Sequence, residues 1–230
     1  MTNRYIAVCL LTASVFPTVA YSHHGLDFIS VQTVHLPQQG AAYAIGRVDY
    51  ISEEEYEVEF EPAVLFGATD WMAIEIHAHY EKEQGGSTKY ESIAPALQIR
   101  LTPRDQQFSL GLSVEYEFAG ESDEDDVVGL TAILGYEFSA WTVATNLRHE
   151  KAANAPGEWD YAVGVRRSFR HDHGFGLELN GSLESDGSSG ILAGYYGELS
   201  ERFSINAGIG TGLDGGPDWS LRSAFIWQFK

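Results

Sequence analysis

Cysteine is nearly absent: the 230-residue chain has one, Cys9, within its first twenty residues. A chain exported without that stretch has no disulfide and must be held together another way. Basic residues are scarce, with 14 Lys and Arg against 33 Asp and Glu and a formal charge of −19. That balance excludes nucleic-acid binding, which needs a basic footprint, and it excludes electrostatic docking on anionic lipid. Long apolar runs are missing too: after residue 22 none reaches the roughly eighteen residues of a membrane-spanning helix. Helical periodicity is also absent beyond that point.

The first residues have the form of a signal peptide. Arg4 supplies the positive start, Ile6 to Val19 is mostly apolar and broken by Pro17, and Ala20-Tyr21-Ser22 has the small-x-small pattern of a cleavage site. Cleavage near Ser22 removes Arg4 and no acid, so the formal charge moves from −19 to −20. The expected organisation is a signal peptide over 1–22, a periplasmic N-terminal segment over 23–40 and a β-domain over 41–230.

What is present is alternation. In WMAIEIHAHYEK, residues 71–82, Met72, Ile74, Ile76, Ala78 and Tyr80 alternate with Glu75, His77, His79 and Glu81. This is the two-residue period of a strand with one apolar and one polar face. The pattern recurs in twelve segments: 41–51, 55–67, 71–82, 88–101, 107–118, 127–138, 141–150, 159–169, 174–184, 189–199, 203–213 and 218–229. Links after even segments are short, and those after odd segments are mostly longer and acidic or glycine-rich, such as AGESDEDD at 119–126. Aromatics gather at strand ends: Phe66, Trp71, Phe108, Phe138, Trp141, Phe169, Phe175 and Phe203.

Short turns at one end, long loops at the other, aromatic girdles and strands of about ten alternating residues describe a transmembrane β-barrel. The expected fold is all-β: an antiparallel up-and-down transmembrane β-barrel of about 12 strands in a bacterial outer membrane. The competing architecture is a soluble sandwich or barrel with the apolar row inside. It fits less well, because the other row is rich in glycine and acids and the bulky aromatics avoid strand centres.

The segment ending Leu36-Pro37-Gln38-Gln39-Gly40 and the stretch EPAVLFGATDWMAIEIHAHY at 61–80 resemble the outer-membrane barrels described as transporters of the phenol-degradation MetA-pathway type. The resemblance extends loosely over most of the mature chain. It implies an outer-membrane barrel, membrane lipid and the outer-membrane assembly machinery as partners, and, more weakly, transport. It carries no set of functional residues. Phe229 near the end suits the terminal aromatic of such barrels, although Lys230 follows it.

With the apolar row on lipid, Glu55, Glu57, Glu59 and Glu61 point inward from segment two, and Glu75, His77, His79 and Glu81 from segment three. If Gly67 faces Trp71, paired residue numbers sum to 138, so His77 lies opposite Glu61 and His79 opposite Glu59. Arg47, Arg100, Arg148, Arg166 and Arg222 share the inward parity. Glu57, Glu59, Glu61, Glu75, His77, His79 and Arg100 are therefore candidate lumen or gating residues. Three roles fit them: cross-strand ion pairing, a cation path along an acidic wall, or a zinc-like site at His77 and His79 with carboxylates opposite.

A second pair, His23-His24, would follow the new N-terminus, where amine and imidazole nitrogens suit copper. A plain tail is the alternative. No resident cofactor is expected otherwise. His171-Asp172-His173 reads as a solvated turn, and the ESDEDD run at 121–126 as a solvated loop lacking the spacing of a calcium loop. Catalysis is not expected: no G-x-S-x-G elbow occurs and no serine can be set against the rim residue His149. The expected function is a porin-like channel for small solutes, cations preferred. A copper- or zinc-handling barrel and a closed structural barrel are the alternatives. Whether residues 23–40 fill the lumen is left open.

Overall fold

The computed structural model describes residues 26–53, 55–121, 124–170, 173–185, 187–214 and 216–229. His23, His24 and the cleavage site lie outside the described residues. Twelve strands follow in order: β1 (Ala42–Ser52), β2 (Tyr56–Thr69), β3 (Met72–Glu83), β4 (Lys89–Arg100), β5 (Phe108–Ala119), β6 (Val127–Phe138), β7 (Trp141–Ala152), β8 (Glu158–Arg170), β9 (His173–Ser182), β10 (Ser189–Ser200), β11 (Phe203–Asp214) and β12 (Trp219–Gln228). Each pairs antiparallel with its neighbours in sequence, and β1 pairs with β12 from Tyr43↔Gln228 to Ser52↔Trp219, which closes the barrel. Closure leaves no unpaired sheet edge.

The usual distribution of polarity is inverted. Ile76 is 51% exposed and Phe175 61%, while Glu75, Asp49, Arg47 and Arg222 are buried. The apolar row of each strand therefore forms the outer surface and the polar row the interior. An outer wall this apolar is stable against lipid and not against water. Aromatic girdles form at both ends. Phe138 stacks on Trp141 and Phe169 on Phe175 at the short turns, and Tyr50 stacks on Tyr56 and Trp219 at the long loops.

The β2–β3 register differs from the sequence expectation by two residues. Ala63, not Glu61, lies opposite His77, and Glu59 faces Glu81 rather than His79, so paired numbers sum to 140. The turn narrows to Asp70 and Trp71, with an irregularity between Gly67 and Thr69. The Trp71 amide donates to the Thr69 hydroxyl, which fixes this tighter turn. His173 also departs from its reading as a solvated turn residue. It opens β9, stacks on Phe169 and Tyr195, and shares a 2.7 Å hydrogen bond with the Tyr195 hydroxyl.

The buried apolar residues sit inside the barrel, around a segment that precedes β1. Phe28, Ile29 and Val31 pack against Ala144, Ala162, Leu192 and Tyr196. Leu36 packs with Ile45, Ala63, Leu65, Ala73 and Ile226, and Leu26 joins that group. Residues 27–36 thus lie in the lumen.

Candidate functional site

The inserted segment is an Ω-like loop whose two legs meet at the short-turn end of the barrel. One leg leaves past Pro37, whose carbonyl accepts from Arg104 in the β4–β5 link, and reaches the end of β2, where the Gly40 amide donates to the Gly67 carbonyl. The other leg ends at Asp27, whose carbonyl accepts from Arg166 near the end of β8. His35 Nδ1 and Asp27 Oδ2 stand 2.5 Å apart and close the base. The Thr33 hydroxyl also donates to Asp27, and His35 Nε2 contacts the Glu137 carboxylate.

An extended loop inside a closed barrel cannot join the strand ladder, because the wall's own amides and carbonyls already bond across strands. Its backbone groups need side-chain partners. The lumen row supplies them. Glu178 accepts from the Ile29 amide at 2.8 Å, the Ser30 amide at 2.6 Å and the Tyr196 hydroxyl at 2.5 Å. Asn146 accepts from the Gln32 amide at 2.6 Å and donates to the Gln32 carbonyl at 2.8 Å. Gln98 donates to the Thr33 carbonyl, Arg100 to the Val34 carbonyl and Arg222 to the Ser30 hydroxyl. Arg100, a residue marked by its parity, therefore holds the loop as well as the carbonyls of Thr102 and Pro103.

The base of the loop is charged on both sides. Burial alone would raise the Asp27 carboxyl. The His35 charge and hydrogen bond, with Arg166 beyond, outweigh it and hold Asp27 well below the usual carboxylate range. The Asp27 carboxylate in turn raises His35 to about 10 against the cost of its burial, with Glu137 adding to the effect. Beside these legs a cavity of about 390 Å³ is lined by His35, Tyr43, Arg100, Arg104, Gln38 and Gln228. The wall of that cavity is therefore basic.

Toward the long loops the lumen is acidic. Asp49 on β1 lies opposite Glu59 on β2, and Glu59 lies opposite Glu81 on β3, so three carboxylates stand side by side across the wall. Glu57 faces Glu83 one inward position further out. Deeper in, Arg47 pairs with Glu61 at 3.4 Å. Arg148 bridges Glu115 at 2.8 Å and Glu150 at 2.6 Å. Arg222 lies 3.9 Å from Asp49. His77 sits between Glu75, 3.4 Å from Nδ1, and Glu115, 3.9 Å from Nε2. Glu61, Glu75 and His77 bring one ligand atom each within 4.8 Å of one another. His79 is half-buried on the same row but outside that cluster.

Sequence parity thus finds the acidic half of the lumen. It misses Asp27, His35, Gln98, Asn146 and Glu178, which hold the loop. The available signals are an acid or amide on an otherwise small inward row, and a segment, Phe28 to Leu36, that carries apolar residues on both parities.

No protein-family model and no curated protein matches the chain. Solved structures do. The COG4313 outer membrane channel from Pseudomonas putida F1 is similar with a TM-score of 0.70 at 9% identity, over 86% of this chain and 98% of that one. The KdgM porin gives 0.63 at 10% identity over 82% and 99%, and the NanC porin 0.60 at 10% identity over 81% and 99%. The likeness is one of fold, a closed antiparallel barrel of outer-membrane type.

Proposed function

We propose that the chain is an outer-membrane, porin-like channel of the transporter type it resembles in sequence, passing small solutes, cations ahead of anions, and performing no catalysis. The observation that carries this reading is the row Asp49–Glu59–Glu81 inside an apolar-walled barrel. Like charges directly opposite on neighbouring strands are destabilising. A wall that keeps three in line creates a negative potential that concentrates cations in a confined space. The similar structures, an outer membrane channel and two porins, agree with passage through the barrel.

The inserted loop favours a second reading, a barrel filled by its own chain and side chains. Ion current through the refolded protein in a planar bilayer under a salt gradient separates the two. A steady conductance with a cation-selective reversal potential is expected. Silence from protein shown to be folded and inserted selects the filled barrel.

A further inference from the structure

We infer that Glu61, Glu75 and His77 form a divalent metal site of the zinc class in the lumen wall. Glu75 and His77 are two residues apart on β3, so both side chains leave the same face. Glu61 reaches them from β2, and all three residues are more than nine-tenths buried. One ligand atom from each lies within 4.8 Å of the others. His77 Nδ1 and Glu75 Oε1 are 3.4 Å apart, close to the roughly 3.3 Å edge of a tetrahedron with metal–ligand bonds of about 2.0–2.1 Å. An imidazole nitrogen with two carboxylates suits zinc and disfavours calcium or magnesium, which prefer all-oxygen sets.

The surroundings fit a metal centre in two further ways. A ligating histidine usually turns its second ring nitrogen toward a carboxylate, which fixes tautomer and orientation. Glu115 occupies that place, 3.9 Å from His77 Nε2, and is itself held by Arg148 at 2.8 Å. The local charge is also unbalanced. Six carboxylates, on Asp49, Glu59, Glu61, Glu75, Glu115 and Glu150, stand against the three guanidiniums of Arg47, Arg148 and Arg222. A dication reduces the surplus without removing an arginine. Glu57, Glu59 and Glu81 follow on the inward rows toward the long-loop end.

The site needs no open pore, so the test stands apart from conductance. Zinc is titrated against a competing chromophoric chelator into the refolded full-length barrel in detergent, in a His23→Ala/His24→Ala background that removes the N-terminal pair. One zinc per chain is expected. Glu75→Gln and His77→Ala should each weaken it by at least about tenfold, the lower end of what loss of even an outer-shell partner costs, while His79→Ala leaves it within about twofold. Glu75→Gln keeps shape and volume, so it reports binding even where His77→Ala fails to fold. Zinc absorption spectroscopy on the parent should give a nitrogen and oxygen shell containing one imidazole. Unchanged affinity in Glu75→Gln, equal loss in His79→Ala, or a zinc shell without imidazole overturns the assignment.

Discussion

Asp27 and His35, eight residues apart in the chain, meet at 2.5 Å and clasp the base of the lumen loop. The clasp has a defined pH range. His35 is raised, so its contribution is complete below its ordinary value near 6.5 and is lost as pH climbs through about 10. Asp27 is lowered, so its contribution is complete above the ordinary carboxylate value and survives into strong acid. Glu137 and Arg166 also face the pair. Docking should be firm at mildly acidic pH and loosen between pH 6.5 and 10. Hydrogen exchange at the amides of residues 29–34, corrected for intrinsic rates, should accelerate several-fold over that interval. In Asp27→Asn it should already be fast at pH 6 and change little with pH. A parent protein with flat corrected rates would count against the clasp.

Glu178 should be the most sensitive single anchor of the loop. Its carboxylate receives two loop amides and a phenol. Glu178→Gln turns one acceptor oxygen into a donor facing a donor. Hydrogen bonds to charged groups contribute about 1.5–3 kcal/mol, so opening of the loop should rise by at least tenfold while the barrel keeps its strand content. Exchange at Ile29 and Ser30 reads the first effect and circular dichroism the second. In bilayers, a larger or noisier conductance is expected than in the parent.

Gly67 marks the place where the loop joins the wall. A Cβ there would lie 2.2 Å from the Gln38 carbonyl oxygen and 2.9 Å from that of Pro37, both rigid backbone atoms. Gly67→Ala should therefore destabilise the folded barrel by about 1–3 kcal/mol, the range for overpacking. Gly46→Ala, whose new methyl would find only Phe60 at 3.9 Å, should be close to neutral. Urea midpoints of refolding into micelles compare the two, and equal midpoints would contradict the close approach.

Neutralising the middle of the acid row tests the cation path. Glu59→Gln removes the carboxylate flanked by Asp49 and Glu81. The reversal potential under a salt gradient should move toward zero, and stability should rise because a like-charge contact is relieved. A stability gain without any change in selectivity would leave the row a structural burden with no part in conduction.

Strand positions were legible in the sequence to within one or two residues at most ends, because a two-residue period sustained over ten or more positions has no competing explanation. The inward parity of Glu59, Glu75, His77 and the arginines followed from it. The β2–β3 register did not, since a turn closing on Asp70 and Trp71 rather than one residue earlier changes each pairing while leaving every parity intact. The loop was the least legible part. Its contacts with Glu178 and Asn146 span 149 and 114 residues of chain, and no local pattern encodes such a meeting. The convergence of Glu61 with Glu75 and His77 depends on the register and so could be found only in three dimensions.

The loop also imposes an order of events on the assembling chain. It is made before β1, yet its anchors come from β4, β7, β8, β9 and β12. Arg222, the partner of Ser30, lies on the strand whose pairing with β1 seals the cylinder. The segment that precedes the barrel strands is thus the last to find its full set of partners, and until it does, Glu178, Asn146 and Gln98 must be served by water.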